Sequence, residues 1–589
     1  MQYPLKFYTA QKLVFEKELT RLKKQLALSS TYRLITFLAI IYGNYFFFRN
    51  IEMMVLSTLV GIVLFLFLLV RHSKLLYKNS FNKALLEINN TEINVLNGDY
   101  LALNQGTEFV NQLHFYSYDI DLFGKGSFFQ YCNRTATAEG TKELVNYLTK
   151  NDISTIEKKQ HGIIELNKKT KWRQQFSALA SIVKVDYPTK KLTEWLQHYK
   201  PVFPKYIAVL PTIFSVISIV LIVLSSFQII ANLIVLIWFF IGLGIVGSFN
   251  KKVSVLYKYA NNTKDTFKQY HKLLHEIETT KFTTKILKEK QQEIQTETEK
   301  ASKIVAKFSK LLDALDQRNN LIVGPLVNGF LLWDLQQVYK IEQWIHKYKE
   351  KVEIWFKVIA FFDAHNSLAN FVFNHPSYVF PKINSNKYGI AAKNLGHVLI
   401  KDSTRITNDF KIENHQFFII TGANMAGKST FLRTVSMAIV MANMGLPVCA
   451  DEFNYSPIKL ITSMRTTDSL VDDESYFFSE LKRLKFIVDK IVNEDYFIVL
   501  DEILKGTNST DKAIGSKKFV QKLVTSKSTG IIATHDLSLC EIEKELPEVK
   551  NYYFDAEIIN DELSFDYKLK DGICKNMNAS FLLKKMEII

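Results

Sequence analysis

A chain of 589 residues is too long for one compact core and favours two to four domains. Hydrophobic residues make up 48% of it and aromatic residues 13%, which excludes a predominantly disordered protein. The 74 Lys and Arg residues exceed the 58 Asp and Glu residues and give a net charge of +16, which suits a polyanionic partner, either nucleic acid or the anionic face of a bilayer.

The N-terminal region contains two apolar runs. Residues 34–48 and 53–70 are separated by a short interval with two charged residues. The first run gives roughly 22 Å of helix, which is short for a membrane span, whereas the second run is long enough alone. We therefore predict an amphipathic helical segment over 1–30, a transmembrane hairpin over 31–74 and a connecting segment over 75–117.

A second apolar region contains no charged residue from 206 to 250. It is long enough for two helices of about 20 residues each, and it predicts a second transmembrane hairpin over 201–250 with its turn at 225–228. For both hairpins the alternative is a pair of buried core helices in a soluble protein. The motif G-x-G-x-x-G at 242–247 lies inside the last apolar run, so we interpret it as small residues that pack one membrane helix against another.

The basic residues that flank the two hairpins predict their orientation. Lys and Arg residues precede and follow each hairpin, whereas the outer turns carry one Arg or none. The positive-inside rule then places both termini and most of the chain in the cytoplasm. We expect a multi-pass protein of the cell membrane.

The region after the second hairpin predicts long helix. Residues 251–310 lack Pro and Gly and carry 14 Lys against 7 Asp and Glu. We interpret them as a solvated antiparallel helical arm, and a basic arm that contacts phosphate is the alternative. A further helical block is expected to end near residue 374.

From about residue 394 the pattern changes to short apolar strands separated by helices. Residues 415–420, 496–500 and 530–533 predict buried strands of a parallel sheet. The C-terminal part of the chain is therefore expected to have an α/β fold.

The first of these strands leads into a complete G-x-x-x-x-G-K-S motif. It stands between an apolar strand and a helical segment, which is the context that this phosphate-binding loop requires. Backbone N–H groups of the loop surround phosphate oxygens, Lys428 reaches the β- and γ-phosphates of ATP, and Ser429 ligates Mg²⁺. The predicted ATP-binding residues are Gly422, Ala423, Asn424, Met425, Ala426, Gly427, Lys428, Ser429 and Thr430.

Two later strands end in polar residues that can serve the same site. Asp501 is predicted to hold Mg²⁺ together with Ser429, and Glu502 to polarise the attacking water. His535, at the end of the third strand, can contact the γ-phosphate. The predicted catalytic residues are thus Glu502, His535 and Lys428. The alternatives are a strand end with two exposed acids and a histidine with a structural or surface role.

Together these motifs resemble those of the MutS family. Residues 421–430 (TGANMAGKST) are similar to its Walker A motif, residues 500–511 to its Walker B motif and the loop that follows, and residues 533–536 (ATHD) to the segment with its switch histidine. Residues 475–480 (SYFFSE) resemble the signature stretch of the family. This resemblance implies that Ser475 contacts the γ-phosphate of ATP bound to a partner subunit.

The resemblance extends upstream and implies a multidomain chain. Residues 119–124 (DIDLFG) and 133–140 (NRTATAEG) resemble the start of the family's helical core. We expect an all-α MutS core at 118–200, its continuation with a lever at 251–380, and an α/β P-loop NTPase domain, similar to ABC ATPases, at 381–589. The two hairpins add four transmembrane helices.

The expected function is that of a membrane-anchored relative of the mismatch-repair ATPases. The 117 residues before the core leave no room for the mismatch-recognition domain of the family. The resemblance implies a Mg²⁺-dependent ATPase that binds DNA without sequence specificity as an ATP-gated homodimer, with its ATPase domain in the cytoplasm. Two alternatives stay open: a membrane machine of the ABC transporter type, and a nucleotide-controlled membrane scaffold without DNA binding.

Overall fold

The protein consists of a first helical hairpin, a helical core that includes a second hairpin, and a C-terminal α/β domain. The first hairpin has apolar side chains exposed on its surface. The helical core connects both hairpins to the α/β domain. The structure, a computed structural model, describes residues 2–183, 188–296, 299–384, 389–465, 476–559 and 562–574.

The first two helices form one long hairpin. They are α1 (Gln2–Phe46) and α2 (Ile51–Leu96). The Asn50 side chain caps α2 by accepting a hydrogen bond from the Met53 N–H group. The helices run through the boundaries predicted at residues 30 and 74, because the polar residues on either side of the apolar runs are also good helix formers. The N-terminal segment and the apolar runs are therefore parts of the same two helices.

Both helices of the first hairpin are long and apolar enough to cross a membrane. Their apolar side chains point outward, and Phe37, Val63 and Phe67 are each more than half exposed. A core helix pair in a soluble protein buries such residues. The exposure therefore argues against the alternative of a buried core pair for this hairpin.

Shorter helices of the core follow α2. The start of the helix Ala138–Thr149 is fixed by Thr137, whose hydroxyl accepts a hydrogen bond from the Gly140 N–H group. The helices of this part are α3 (Phe128–Cys132), α4 (Ala138–Thr149), α5 (Ile156–Lys168), α6 (Thr170–Ser181) and α7 (Thr189–His198).

The second hairpin is shorter than predicted. Its helices, α8 (Leu210–Ser226) and α9 (Asn232–Ser248), have 17 residues each rather than about 20. By length and composition, α9 qualifies as a span only together with α10 (Asn250–Thr279), across a bend of 66°. Among the described residues the four predicted spans therefore become two, or three if the bent pair is one span, because α8 alone is too short.

The predicted arm at 251–310 consists of separate helices rather than one. After α10 come α11 (Lys285–Gln292) and α12 (Ala301–Asp316), and α12 runs antiparallel to α10, as predicted. The two helices are not the solvated arm that was predicted, because their apolar side chains are buried in the core of the protein. The break after α10 is fixed by Glu165, whose carboxylate accepts hydrogen bonds from the N–H groups of Thr283 and Thr284 at 2.8 and 2.7 Å. A polar side chain distant in sequence thus ends a helix that local propensity would continue.

Two more helices complete the core, α13 (Val323–Leu331) and the long α14 (Trp333–Asn374). α14 ends at the residue predicted for the helical block, and it packs along α4, α5 and α12. Its Asp363 is buried and accepts hydrogen bonds from the Ala136 and Thr137 N–H groups and from the Thr137 hydroxyl. The segment at 133–140 is therefore where the first part of the core attaches to α14.

Among the described residues the α/β domain has a six-stranded sheet, a four-stranded sheet and a two-stranded sheet formed by residues 557–559 and 562–564. The six-stranded sheet has the strand order β12 (Leu569–Asp571), β9 (Val549–Phe554), β4 (Phe417–Gly422), β8 (Thr529–Ala533), β7 (Tyr496–Asp501) and β6 (Lys459–Ser463). Strand β12 is antiparallel to its neighbour, and the others run parallel. The three predicted strands are confirmed as β4, β7 and β8, which lie side by side and are almost completely buried. Their carboxyl ends meet at one edge, where ligands bind in open α/β sheets.

A smaller sheet of β1, β5, β2 and β3 lies next to the loop after β4. The strands are β1 (Lys382–Ile383), β2 (Ile390–Leu395), β3 (Asn408–Ile412), β4 (Phe417–Gly422), β5 (Glu452–Tyr455), β6 (Lys459–Ser463), β7 (Tyr496–Asp501), β8 (Thr529–Ala533), β9 (Val549–Phe554), β10 (Glu557–Ile559), β11 (Glu562–Ser564) and β12 (Leu569–Asp571). The helices of the domain are α15 (Lys428–Asn443), α16 (Tyr476–Ile491), α17 (Ser509–Thr525) and α18 (Ile542–Glu545).

The segment at 119–124 attaches the helical core to this domain. Asp119 accepts hydrogen bonds from the N–H groups of Met464 and Arg465, just after β6. The Arg465 guanidinium in turn contacts both carboxylate oxygens of Asp121 at 2.7 and 2.8 Å. Bidentate pairs of this kind fix orientation as well as distance. The two stretches that resemble the start of the MutS core are thus both structural joints.

Candidate nucleotide-binding site

The loop between β4 and α15 has the conformation of a phosphate cradle. Gly422 and Gly427, at its two ends, have φ angles of 147° and 103°, which residues with a side chain rarely adopt. A Cβ atom on Gly422 would also lie 2.5 Å from the Phe554 carbonyl oxygen. The loop therefore needs glycine at both positions, and its N–H groups lead into the N-terminus of α15, a favourable place for an anion.

The Lys428 side chain lies inside this loop and contacts its backbone. Its ammonium Nζ lies 2.8 Å from the Gly422 carbonyl oxygen and 2.9 Å from that of Ala423. Burial lowers the pKa of Lys428, and the nearby carboxylates of Glu502 and Asp501 oppose that shift. The ammonium group is thus held at the centre of the loop, where it can donate to phosphate oxygens instead of carbonyl groups.

The two predicted magnesium ligands lie side by side. The Ser429 hydroxyl donates a hydrogen bond to the Asp501 carboxylate, and burial raises the pKa of Asp501. Within the described ranges no group of three or more His, Cys, Asp or Glu residues could hold a metal ion. Mg²⁺ suits this pair nevertheless, because it is commonly bound by one or two protein oxygens plus waters and phosphate oxygens of the nucleotide.

Glu502 and His535 form the other half of the site. His535 Nε2 lies 2.9 Å from Glu502 Oε1 and 3.3 Å from Lys428 Nζ. The hydrogen bond from His535 lowers the pKa of Glu502 to about 2, with help from Lys505 and Lys428. Glu502 is consequently ionised at neutral pH, and it has a φ angle of 51°, a strained value of the kind that clusters at functional sites.

A cavity of about 480 Å³ opens between the loop and the smaller sheet. That volume is in the range of small-molecule sites, and the apolar side of the cavity can accept the base of a nucleotide. The sequence motifs did not identify these walls, because they come from separate segments without a shared pattern. The side chains outside the loop include Leu395, His397, Ile400, Ile406, Phe554 and Tyr567.

Comparison with known proteins agrees with this geometry. Residues 418–585 match the family model of MutS domain V. The C-terminal domain belongs to the MutS family. The DNA mismatch repair protein MutS of Staphylococcus haemolyticus is 28% identical over 270 residues, which cover 44% of this chain and 30% of that protein. The human MutS protein homolog 4 is 32% identical over 189 residues, which cover 31% of this chain and 20% of that protein. The chain thus matches less than a third of the length of either relative.

The MutS-type domain brings the described site residues together at one edge of its sheet. The loop from Gly422 to Thr430, Asp501, Glu502 and His535 all lie at the carboxyl ends of β4, β7 and β8, and their roles with ATP stay predictions. Ser475, predicted to act on a partner's ATP, lies outside the described residues.

Glu480 is a further residue of the MutS-type site to which the sequence assigned no role. It lies on α16, is 3% exposed, and accepts hydrogen bonds from the N–H groups of Leu504 and Lys505 at 2.6 and 3.0 Å. Those two residues lie two and three positions after Glu502. Glu480 therefore positions the loop that carries the acid pair, and its place at the end of the SYFFSE stretch is the signal that could have identified it.

We expect Glu480→Ala to lower kcat for ATP by about 10- to 100-fold, which is roughly 1.4–2.8 kcal/mol and the usual cost of leaving buried N–H groups unpaired. KM for ATP should change little, because Glu480 does not line the cavity. Steady-state ATPase kinetics measure both constants. Glu480→Gln, which keeps one acceptor oxygen, should restore part of kcat, and equal losses in the two variants would contradict a positioning role.

Proposed function

We propose that this protein is a Mg²⁺-dependent ATPase of the MutS type that is anchored in a membrane and binds DNA as an ATP-gated homodimer. One observation carries the proposal: at the glycine loop His535 Nε2 lies 2.9 Å from the Glu502 carboxylate and 3.3 Å from Lys428 Nζ, with Ser429 and Asp501 paired beside them. This is the set of groups that phosphoryl transfer from ATP to water requires.

Each residue of the site has a separate role in this proposal. Lys428 exchanges its two carbonyl acceptors for oxygens of the β- and γ-phosphates, while Ser429 and Asp501 would hold Mg²⁺, which neutralises charge on those phosphates. Glu502, ionised and next to the cradle, orients the attacking water. His535 leaves Glu502 to contact the γ-phosphate, so that the Glu502 oxygen it occupied becomes available.

The homodimer follows from the predicted reach of Ser475 into the site of a second subunit. Glu480 on α16 already fastens that helix to the loop after Glu502. The γ-phosphate of ATP bound to the second subunit would contact the start of α16. Its binding would then affect the loop after Glu502 in this subunit through the Glu480 side chain. Such an arrangement would make hydrolysis depend on dimer formation.

The membrane anchor is supported by the two long apolar helices of the first hairpin and by their outward-facing side chains. The DNA partner is supported by the net charge of +16 and by the similarity to the staphylococcal DNA mismatch repair protein MutS. A transporter of the ABC type is the second candidate, favoured by the helices that could span a membrane and by the nucleotide site.

ATPase assays on the full chain in detergent test the first part of the proposal. We expect hydrolysis to require Mg²⁺, to be stimulated by DNA and to be absent in Lys428→Ala. An unchanged rate in that variant would refute the nucleotide site. ATP-dependent uptake of a solute into vesicles, without any response to DNA, would favour the transporter instead.

DNA binding is tested separately by filter binding in rising salt. We expect the logarithm of the affinity to fall linearly with the logarithm of the salt concentration, since Lys and Arg contacts release counterions from phosphate. With six to ten phosphate contacts the loss is about 10³–10⁵ between roughly 50 and 200 mM salt. Affinity that is absent at low salt, or insensitive to salt, would remove DNA from the proposal.

A further inference from the structure

Residues 319–333 form an apolar segment without a charged residue, and it lies outside both predicted hairpins. Its centre is α13, whose nine residues span about 14 Å, less than half of the roughly 30 Å hydrocarbon core of a bilayer. Leu321 is 92% exposed, Ile322 73% and Leu326 50%. A short apolar segment with such exposed side chains, in the helix and just before it, is unusual on a surface that faces water only.

The segment packs on the second hairpin. Gly242 of α9 approaches Gly329 of α13 so closely that a Cβ atom on Gly242 would collide with the Gly329 carbonyl oxygen. A Cβ atom on Gly329 would collide with the Phe239 ring, which also contacts Phe330 with a centroid distance of 5.2 Å. The glycine motif of α9 thus serves helix packing, as predicted, but through Gly242 and against α13 rather than another predicted span.

Backbone groups at both ends of α13 have hydrogen-bond partners within the protein. The Asn320 side chain accepts hydrogen bonds from the N–H groups of Ile322 and Val323 at 3.1 and 3.0 Å. At the other end, the Leu331 carbonyl oxygen accepts hydrogen bonds from the side chains of Ser215 and Gln336 at 3.3 and 2.8 Å. This pairing matters in hydrocarbon, where backbone groups have no water to bind.

The two charges that border the segment pair with each other. Arg318 Nε lies 3.4 Å from the Asp334 carboxylate, and both side chains are largely buried. The ends of the segment are therefore held together on one side of the protein. A segment whose two ends are joined in this way can enter a bilayer and return to the same side, but it cannot cross the bilayer.

We propose that residues 320–332 insert into the membrane as a re-entrant element packed on the second hairpin, with Leu321, Ile322 and Leu326 in contact with lipid acyl chains. This inference rests on the proposed membrane anchor. It adds a lipid-binding surface that α13 and the second hairpin form together.

Lipid is the occupant that the surroundings favour. The exposed apolar surface continues from α13 onto α8 and α9, where Val216, Ile219 and Ile237 are each more than half exposed. Stable protein interfaces carry a polar rim with hydrogen bonds around an apolar centre. The segment at 319–333 has no charged residue for such a rim, and its polar ends are already paired.

Fluorescent labels on single introduced cysteines test the insertion. Ile322→Cys reports on α13, Ile219→Cys on the second hairpin, and Val492→Cys is the matched control, since Val492 is an apolar residue in the α/β domain and 76% exposed. The four native cysteines are buried, and labelling of the unsubstituted chain gives the background. Each full chain is reconstituted into phosphatidylcholine–phosphatidylglycerol vesicles, where spin-labelled lipids quench a label within the acyl region and aqueous iodide quenches a label in water.

We expect spin-labelled lipid to quench the labels at positions 322 and 219, and iodide to quench the label at 492. Quenching by lipid at 219 with quenching by iodide at 322 would overturn the inference and leave the membrane anchor intact. A label at 322 that neither agent quenches would also overturn it, because protein would then cover the site. Quenching by iodide at both 219 and 322 would remove the second hairpin from the membrane, and the inference with it.

Discussion

Replacement of Glu502 by Gln is expected to slow ATP hydrolysis by about 10²–10⁴-fold, the usual contribution of a positioned general base, while ATP still binds. The structure gives the reason. Glu502 follows Asp501 and lies 2.9 Å from His535, and the hydrogen bond from His535 lowers the pKa of Glu502 to about 2, so its carboxylate is charged before ATP binds. Gln has the same shape without the charge, so it can fill the position but cannot take a proton from water.

Single-turnover hydrolysis and nucleotide-binding fluorescence separate the two effects. Glu452→Gln is the matched control, because Glu452 is an exposed glutamate in β5 of the same domain, and its rate should equal that of the unsubstituted chain. Lys428→Ala should lose binding as well as hydrolysis. If Glu502→Gln hydrolysed ATP at the normal rate, the role given to this carboxylate would be wrong.

The same variant tests whether residues of two subunits contact one ATP molecule. With hydrolysis blocked, ATP should hold two subunits together, and Glu502→Gln should elute as a dimer in detergent with ATP and as a monomer without nucleotide. A variant that stayed monomeric with saturating ATP would contradict the dimer and, with it, the predicted contact from Ser475. The result is independent of DNA binding, so it also distinguishes a nucleotide-controlled scaffold from a chain that does not assemble.

The parts of this protein that the sequence predicted well are those whose signal is continuous along the chain. The loop from Gly422 to Thr430 is one uninterrupted motif, and each strand of β4, β7 and β8 is a single apolar run that ends in a polar residue. Parallel strands place such ends at a common edge, so Asp501 and Glu502 could be assigned to the same site as Lys428 without any knowledge of the tertiary structure.

The parts that were missed depend on contacts between distant segments. The apolar wall of the nucleotide cavity combines residues such as Ile400, Phe554 and Tyr567, which no local pattern connects. The helix predicted over 251–310 ends early because the Glu165 carboxylate binds the N–H groups after α10. The short α13 lacks the length of a membrane span, so the sequence did not assign it to the membrane. The proposal that it enters the bilayer depends on its packing against α9, which only the structure shows.

Replacement of Glu92 by Ala is expected to destabilise the protein by about 3–5 kcal/mol, the usual cost of removing one partner of a buried ion pair. Glu92 of α2 is 2% exposed, and its carboxylate binds Arg134 Nε at 2.6 Å and the Asn374 side chain at 2.7 Å. Asn374 also accepts a hydrogen bond from the Tyr8 hydroxyl of α1 at 2.9 Å. Both helices of the first hairpin are therefore joined to the last residue of α14.

Thermal unfolding of the full chain in detergent measures the loss, as a decrease in the midpoint temperature relative to Glu87→Ala. Glu87 is an exposed residue of the same helix, so that substitution changes α2 without touching the pair. The double variant with Met in place of both Glu92 and Arg134 should recover most of the stability, because no buried charge then lacks a partner. Equal midpoints for Glu92→Ala and Glu87→Ala would show that the pair contributes little.

The pair of Glu92 and Arg134 also connects α14 to the first hairpin. Beyond Asn374 the chain enters the MutS-type domain, and the N–H group of Arg134 donates a hydrogen bond to Ser367 on α14. Any movement of α14 that accompanies ATP binding would thus reach α2 of the first hairpin through Glu92 and Arg134. In the double Met variant, which keeps the fold but lacks the charged link, we expect normal ATP hydrolysis with a reduced nucleotide-dependent change in a fluorescent label on α2, whereas α1 keeps its own contact through Tyr8. A preserved change would place the coupling elsewhere along α14.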